Sequence, residues 1–244
     1  MFIKLIASFI ILLPAVHSAP ASDSTSAASV NYKSLSSISQ TKLPDLACKL
    51  PQNCKVSNIT LPLSGVASLS LPEGQVVSSV AVGRGIQNYT CTSGVYVSVG
   101  ALANLFDVSC LYTLSAGFVD PAALSNLLPK MAFSDVSFPN AGKLSIAMHH
   151  QFVTTPGSAT PGAISPQFST SSNKVILSRV AGTNDLTDPA SNVQWLQLAA
   201  LAGQGTLAKS VYRLNTMKGQ PPTSCNTEGQ HLSVQYASMY WFTK

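Results

Sequence analysis

The stretch from Leu232 to Phe242, with the sequence LSVQYASMYWF, decides the fold class. Successive side chains of a β-strand point to opposite faces, so every second residue shares a face. One face is mostly apolar and carries Leu232, Val234, Tyr236, Ser238, Tyr240 and Phe242, and the other carries Ser233, Gln235, Ala237, Met239 and Trp241. This alternation predicts a β-strand.

Similar short runs, rich in Val, Ile and Tyr, precede this stretch and are separated by Gly, Pro, Asn and Ser clusters. They cover residues 74–82, 94–99, 143–152, 174–180 and 206–214. Strand and turn signals at this spacing predict a single all-β or β-rich domain over residues 43–244, built as a sandwich or as a barrel. Residues 154–173 are rich in Pro, Ser, Thr and Gly, and we expect a long surface loop there.

Helical patterns are scarce. The best candidate runs from Pro121 to Leu128, with Asp120 as N-cap and Pro129 as terminator. The run from Asn192 to Leu201 fits either a helix or a buried strand. We therefore expect one or two short helices beside the strands.

The composition excludes several classes of protein. Only 9% of the residues are charged, against roughly 25% in an average soluble domain. Serine (35 residues) and threonine (17 residues) supply much of the polar surface instead. The net charge of +5 reflects few acids and no dense Lys/Arg run, so we expect no nucleic-acid partner.

The N-terminus predicts the compartment. Lys4 is followed by an apolar run from Leu5 to Val16 and then by Ser18, which is the pattern of a secretory signal peptide over residues 1–18. The run is too short to span a bilayer, which requires roughly 20 apolar residues. Residues 19–42 are mostly Ser, Ala, Thr and Asp, so we expect a disordered segment before the domain. The chain is predicted to be extracellular or associated with a cell wall, without an integral membrane segment.

Cysteines and glycosylation sequons agree with an extracellular location. The five cysteines are Cys48, Cys54, Cys91, Cys110 and Cys225. In an oxidising compartment they should form at most two disulfides, and spacing alone leaves their pairing open. Asn58 and Asn88 each begin an Asn-x-Thr sequon, which predicts N-linked glycans.

The segment GRGIQN at residues 83–88 begins like a dinucleotide-binding fingerprint but lacks the third glycine. The residues that follow read as strand and turn, whereas a pyrophosphate needs the N-terminus of a helix. We therefore expect a turn or bulge between strands here, and no nicotinamide cofactor.

The candidate catalytic residues are few. His149 and His150 are neighbours on a predicted strand, so their side chains point to opposite faces and do not easily hold one metal. One of them could act with Asp107 or His231 if the fold brings them together, although a half-buried histidine bonded to the backbone is the simpler interpretation. Arg213 is expected to bond backbone carbonyls or to pair with Asp107 or Glu228. No metal-ligand spacing is present.

The aromatic residues fit a hydrophobic core better than a sugar-stacking platform. They are Trp195, Tyr236, Tyr240 and Trp241.

Several motifs together resemble one family of secreted fungal proteins with bacterial relatives, the domain of unknown function 3455. They lie at residues 83–91, 99–110, 195–198, 211–216 continuing to Pro221 and Cys225, and 234–242. The resemblance covers roughly residues 43–244 and implies no known activity, substrate or cofactor. Some members are labelled malate dehydrogenase, a label that these residues do not support.

The resemblance also implies a disulfide between Cys91 and Cys225, because both belong to its most widely shared motifs. Cys48 and Cys110 are the expected second pair, with Cys54 competing for Cys48. The chain departs from the family pattern at Met217-Lys218-Gly219 and at the loosely matching element from His149 to Phe152.

Three classes of function follow from these observations. The first is a secreted or wall-associated protein without enzymatic activity, in a surface or effector role. The second is a carbohydrate-directed hydrolase or a carbohydrate-binding protein, with cell-wall polysaccharide as its partner. The third is a dehydrogenase, which the sequence disfavours. The weak catalytic candidates are Asp107, His149, His150 and Arg213.

Overall fold

A computed structural model describes residues 54–134 and 146–244. The strands are β1 (Val77–Thr92), β2 (Val95–Asp107), β3 (Met148–Thr154), β4 (Ile164–Ser169), β5 (Lys174–Thr183), β6 (Trp195–Gly205), β7 (Ser210–Lys218) and β8 (His231–Thr243). Two helices, α1 (Ser109–Ser115) and α2 (Pro121–Ser134), lie between β2 and β3 along the chain. The predicted segments at residues 1–18 and 19–42 lie outside the described residues.

The strands close into one antiparallel barrel. Each strand pairs with the next one along the chain, and β8 pairs with β1 to complete the circle. The closing pair is long, running from Val77 opposite Thr243 to Thr90 opposite His231. The prediction of a β-rich domain with one or two short helices is confirmed, and of the two expected architectures the structure is the barrel.

The two faces of β8 belong to two different apolar cores. Tyr236, Tyr240 and Phe242 pack inside the barrel against residues such as Phe168 and Leu177. The alternate residues Ala237, Met239 and Trp241 point outward into a second core. Because both faces are buried, β8 carries large apolar side chains at consecutive positions near its end.

The outer core is covered by the two helices and by the segment that precedes β1. Leu124, Leu128 and Ala132 of α2 pack over Trp241, and the aromatic ring of Tyr112 in α1 meets Trp241 edge-on at 5.1 Å between centroids. Four side chains of the preceding segment complete this layer, namely Val56, Leu61, Val66 and Leu69.

The turn expected at residues 83–88 is wrong, because these residues continue β1 without a break. An irregularity of the bulge type does lie at the end of the segment, where the pairing of β1 with β2 shifts register between Asn88 and Tyr89. Gly83 is needed there for close packing. A Cβ atom at this position would lie 2.6 Å from Cε2 of Tyr240 on the neighbouring strand, so the absence of a side chain makes room for the tyrosine ring.

Two other local predictions also need correction. Pro129 lies inside α2 and does not end it; Leu128 and Ala132, which flank the proline, are both fully buried, so packing outweighs the lost backbone hydrogen bond. The loop expected over residues 154–173 contains β4, whose Phe168 is buried in the barrel. The run from Asn192 to Leu201 fitted either element, and from Trp195 onward it forms part of β6.

Two disulfides cross-link the chain, one at the end of β1 and one at α1. Cys91 at the end of β1 is bonded to Cys225, with Cα atoms 5.9 Å apart, which is the pair that the family resemblance implied. Cys110 is bonded to Cys54, with Cα atoms 4.9 Å apart. The expected pairing of Cys110 with Cys48 is therefore wrong, and Cys48 lies outside the described residues.

The position of Cys54 explains this pairing. Its neighbour Val56 packs in the outer core together with Leu111 of α1, and the Thr113 hydroxyl donates a hydrogen bond to the Lys55 carbonyl at 3.2 Å. These contacts hold Cys54 beside the helix that carries Cys110.

The disulfides provide a test of what stabilises the barrel. The Cys91–Cys225 bridge spans 134 residues, so replacing both cysteines with serine should lower the free energy of unfolding by roughly 4–5 kcal/mol in the chain-entropy model. Replacing Cys54 and Cys110, which are 56 residues apart, should cost roughly 4 kcal/mol. Urea denaturation of each double variant and of the parent protein measures both losses. A loss below 1 kcal/mol for either pair would contradict this account.

Candidate functional site

Two of the four predicted catalytic residues, His149 and Asp107, lie apart from each other and from the other two. His149 is on the outer face of β3, where its Nδ1 lies 3.0 Å from Oδ1 of Asn104. Asp107 ends β2 and accepts a hydrogen bond from the backbone nitrogen of Ser109 at 2.8 Å. This contact ties the end of β2 to the first residue of α1. His149 and Asp107 each have a local partner, and they do not form a site together.

His150 points into the barrel. Its ring stacks on Phe168 with 4.3 Å between centroids, and Nδ1 lies 3.1 Å from the carbonyl oxygen of Gln167. Burial lowers the pKa of His150 to about 4, and the hydrogen bond to Gln167 only partly opposes this effect. His150 is therefore neutral near pH 7 and serves as a core residue bonded to the backbone.

Arg213 also faces the barrel interior. Its Nε and Nη2 both donate to the carbonyl oxygen of Gln194, at 3.1 and 2.9 Å. The expectation of a bond to a backbone carbonyl is confirmed, and the expected pairing with Asp107 or Glu228 is wrong. Glu228 instead accepts a hydrogen bond from the backbone nitrogen of Ser93 at 2.8 Å.

Two tyrosines share the interior with Arg213 and His150. The hydroxyls of Tyr236 and Tyr240 lie 2.7 Å apart. Burial raises the pKa of both tyrosines, and the positive charge of Arg213 opposes that rise. The barrel interior thus brings Arg213 and His150 near the same tyrosines, but among packed aromatic rings.

A groove on the outside of the barrel brings together a different set of polar residues. We call it the α2–β7 groove; its volume is about 300 Å³. Polar side chains reach it from α2, from the loop between β5 and β6, and from the end of β7. They include Asn126, Lys130, Asp185, Asp188, Asn215 and Lys218.

Asp185 is the structural centre of this groove. Its Oδ1 accepts hydrogen bonds from Thr187 N at 2.9 Å, Thr187 Oγ1 at 2.7 Å, Asp188 N at 2.8 Å and Asn192 Nδ2 at 3.1 Å. Its Oδ2 accepts from Trp195 Nε1 at 2.8 Å and from Thr216 Oγ1 at 3.2 Å. Both carboxylate oxygens are therefore occupied.

These hydrogen bonds determine the charge of Asp185. Burial alone would raise its pKa, but the donors on Thr187, Asp188 and Asn192 outweigh burial and lower the pKa to about 2. A carboxylate that is held ionised and fully bonded is poorly suited to transfer protons near neutral pH. Asp185 therefore organises the groove.

The end of β7 has an unusual backbone. Asn215 and Lys218 adopt left-handed conformations, with φ of 48° and 61°, and the pairing of β7 with β8 shifts register between Leu214 and Met217. Such irregularities re-aim side chains next to binding sites. Two contacts hold this one in place: Thr216 Oγ1 donates to the Val193 carbonyl at 2.6 Å, and Lys218 N donates to Asn192 Oδ1 at 2.7 Å.

The irregular backbone places the side chain of Asn215 in the groove. Its Nδ2 donates to Oδ1 of Asn126 at 2.7 Å. Its own Oδ1 is buried and has no hydrogen-bond partner within residues 54–134 and 146–244. A buried acceptor without a partner is costly, and a ligand with a donor group would satisfy it.

Sequence analysis missed the residues that form this groove. Asn215 and Thr216 belong to one motif of the family resemblance, and Trp195 belongs to another. The resemblance therefore singled out these three residues but did not indicate that they lie together in a groove. Asp185 and Lys130 carry no spacing signal, because the chain brings them together from a loop and from the far end of α2. The aromatics predicted for the core, including Trp195 and Trp241, are buried as expected.

The described part of the chain contains neither a cluster of metal-ligating side chains nor a membrane-spanning helix. Within it, no three His, Cys, Asp or Glu side chains are grouped so that they could hold a metal ion. No helix there is long and apolar enough to cross a membrane.

The role of Asp185 predicts a specific response to acid. Its folded pKa of about 2 lies below the ordinary 3.8, so its contribution to stability is complete above about pH 4 and is lost as the pH falls toward 2. Asp185→Asn should lack this pH dependence, and at pH 7 it should lose about 2–3 kcal/mol because its amide nitrogen faces other donors.

Chemical denaturation at pH 7 and at pH 3 measures this difference. Asp188→Asn is the matched control, since Asp188 is exposed in the same loop and should change stability by less than about 0.5 kcal/mol. Equal acid sensitivity of Asp185→Asn and the parent protein would show that Asp185 does not hold the groove together.

Comparisons with known proteins place the chain in a family without assigning an activity. No curated protein and no solved structure matches it. A family model does match, over residues 72–244. This range begins just before β1 and contains every strand of the barrel. The chain therefore belongs to the family described as "Protein of unknown function (DUF3455)".

Proposed function

We propose that this protein is secreted and acts outside the cell as a non-enzymatic binding protein, whose α2–β7 groove holds a hydroxyl-bearing ligand such as a cell-wall saccharide. The apolar run at Leu5 to Val16, the low charge and the sequons at Asn58 and Asn88 support export. The two disulfides are consistent with an oxidising compartment.

The unpartnered Oδ1 of Asn215 is the observation that carries the binding proposal. Its position in a groove of about 300 Å³ suits a ligand the size of one or two sugar rings. A sugar hydroxyl could donate to Asn215 Oδ1 once a small side-chain movement opens this buried oxygen to the groove. The same ligand's oxygens could accept from the ammonium groups of Lys130 and Lys218 on the groove walls.

The chemistry of the groove favours binding over hydrolysis. Glycosidases generally use two carboxyl groups, one of which acts as a proton donor. Asp185 is ionised and fully bonded, and Asp188, the other acid in the groove, lies exposed on its rim. Asp107 and His149, which sequence analysis considered for catalysis, are bonded elsewhere.

Ligand binding can be tested by isothermal titration with soluble glucan, chitin and mannan oligosaccharides. We expect one class of oligosaccharide to bind. Asn215→Gly, which keeps the left-handed backbone accessible, should weaken that binding at least tenfold, which is about 1.4 kcal/mol. Lys130→Met should weaken it as well. Lys209→Met, in the exposed turn before β7, is the matched control and should leave binding unchanged.

Two outcomes would contradict the binding proposal. One is a panel in which no oligosaccharide binds. The other is binding that survives in Asn215→Gly. Release of reducing ends from a polysaccharide by the parent protein, abolished in Asp188→Asn, would instead favour the hydrolase alternative.

Export can be tested separately. The full chain expressed in a eukaryotic secretory host should appear in the medium, and deletion of residues 1–18 should retain it in the cell. A chain that stays inside with its own N-terminus, but is exported behind a foreign leader, would contradict the signal-peptide prediction and leave the binding result untouched.

A further inference from the structure

The outer face of β2 exposes a strip of large aliphatic side chains. Val95, Val97, Val99 and Leu102 are 50%, 46%, 45% and 50% exposed. They follow one another along the strand, at a part of the barrel wall that lies outside the core covered by α1 and α2. Contiguous exposed apolar side chains of this kind usually have something that covers them.

The sequon at Asn88 lies beside this strip. On β1, Ile86 pairs with Leu102 and Thr90 pairs with Val97, so Asn88 lies between the two ends of the strip. The residue opposite Asn88 on β2 is Gly100, which has no side chain. Gly100 is itself buried, and a Cβ atom there would lie 3.1 Å from Cβ of Phe152. No β2 side chain therefore stands opposite Asn88, and Leu102 and Val97 lie on either side of this position.

The other neighbour of Asn88 orients its side chain. Ser233 on β8 pairs with Asn88, and its hydroxyl donates to Asn88 Oδ1 at 2.7 Å. This bond engages the amide oxygen and not the amide nitrogen. The nitrogen is the atom that carries an N-linked glycan.

We infer that Asn88 carries an N-linked glycan whose first sugars lie across Gly100 and cover the β2 strip formed by Val95, Val97, Val99 and Leu102. The inference rests on the proposed export of the chain. The apolar faces and acetamide methyl groups of the first two N-acetylglucosamine rings suit an aliphatic surface, while their hydroxyls remain in water.

The modification is a transfer of an oligosaccharide from a lipid pyrophosphate donor of the secretory pathway. The bond between the sugar C1 and the pyrophosphate oxygen breaks, a bond between C1 and Asn88 Nδ2 forms, and the amide nitrogen loses one proton. The lipid pyrophosphate leaves with the bonding electrons, so no oxidant or reductant is needed.

Asn58 provides an internal comparison. It is exposed in a turn before β1, and no residue of the β2 strip pairs with that segment. A glycan on Asn58 would therefore extend into solvent away from the strip. Loss of the Asn88 glycan should expose the strip, and loss of an Asn58 glycan should not.

The test uses the chain expressed behind a foreign leader in a host that attaches N-linked glycans, with intact mass measured before and after enzymatic deglycosylation. Thr90→Ala removes the sequon without changing Asn88, and Thr90→Ser preserves it and is the matched control. We expect Thr90→Ala to lose one glycan, to bind at least twice as much hydrophobic dye and to self-associate. Thr90→Ser and Asn58→Gln should keep the dye binding of the parent protein.

A rescue variant links the glycan to the strip itself. Adding Val97→Thr, Val99→Thr and Leu102→Thr to Thr90→Ala should return dye binding to the parent level. Enzymatic deglycosylation of the folded parent protein gives the same comparison without any substitution. An exported protein without a glycan on Asn88 would overturn the inference, as would equal dye binding before and after the glycan is removed. Failure of the native N-terminus to direct export would count only against the proposed function.

Discussion

The pairing of β1 with β8 is the constraint on which the rest of the structure depends. It joins the two ends of the sheet over twelve or more residues on each strand, so no edge remains to be protected. It also decides where the aromatic side chains go. Tyr240 fits inside because Gly83, diagonal to it on β1, has no side chain, and Trp241 is directed outward beneath α1 and α2.

This closure leaves little opportunity for chemistry inside the barrel. Eight strands enclose a space that side chains can fill, and here Phe168, Tyr236, Tyr240 and Phe242 occupy it. Of the polar residues that enter, His150 and Arg213 are bonded to backbone carbonyls. Binding is more readily accommodated where helix, loop and strand end meet outside the wall.

Much of the fold could be predicted from local pattern. The alternation along residues 232–242 predicted strand β8, whose two faces are both buried in the structure. Asp120 caps α2 by accepting a hydrogen bond from Ala122 N at 3.0 Å, as expected. Other features depend on distant partners. A sequence cannot show that Gly83 accommodates Tyr240, or that α2 continues through Pro129 because the barrel wall buries the residues on both sides.

The α2–β7 groove could not be predicted from the sequence either, because it also depends on distant partners. Its geometry rests on a series of contacts rather than on any single residue. Asp185 bonds Asn192 and Thr216, Asn192 bonds the backbone of Lys218, and Thr216 lies next to Asn215. Together these contacts hold two left-handed residues at the end of β7, which cost free energy unless the surroundings enforce them. The strain is localised where Asn215 lines the groove. A loop carboxylate can therefore shape the groove by fixing the backbone that carries Asn215.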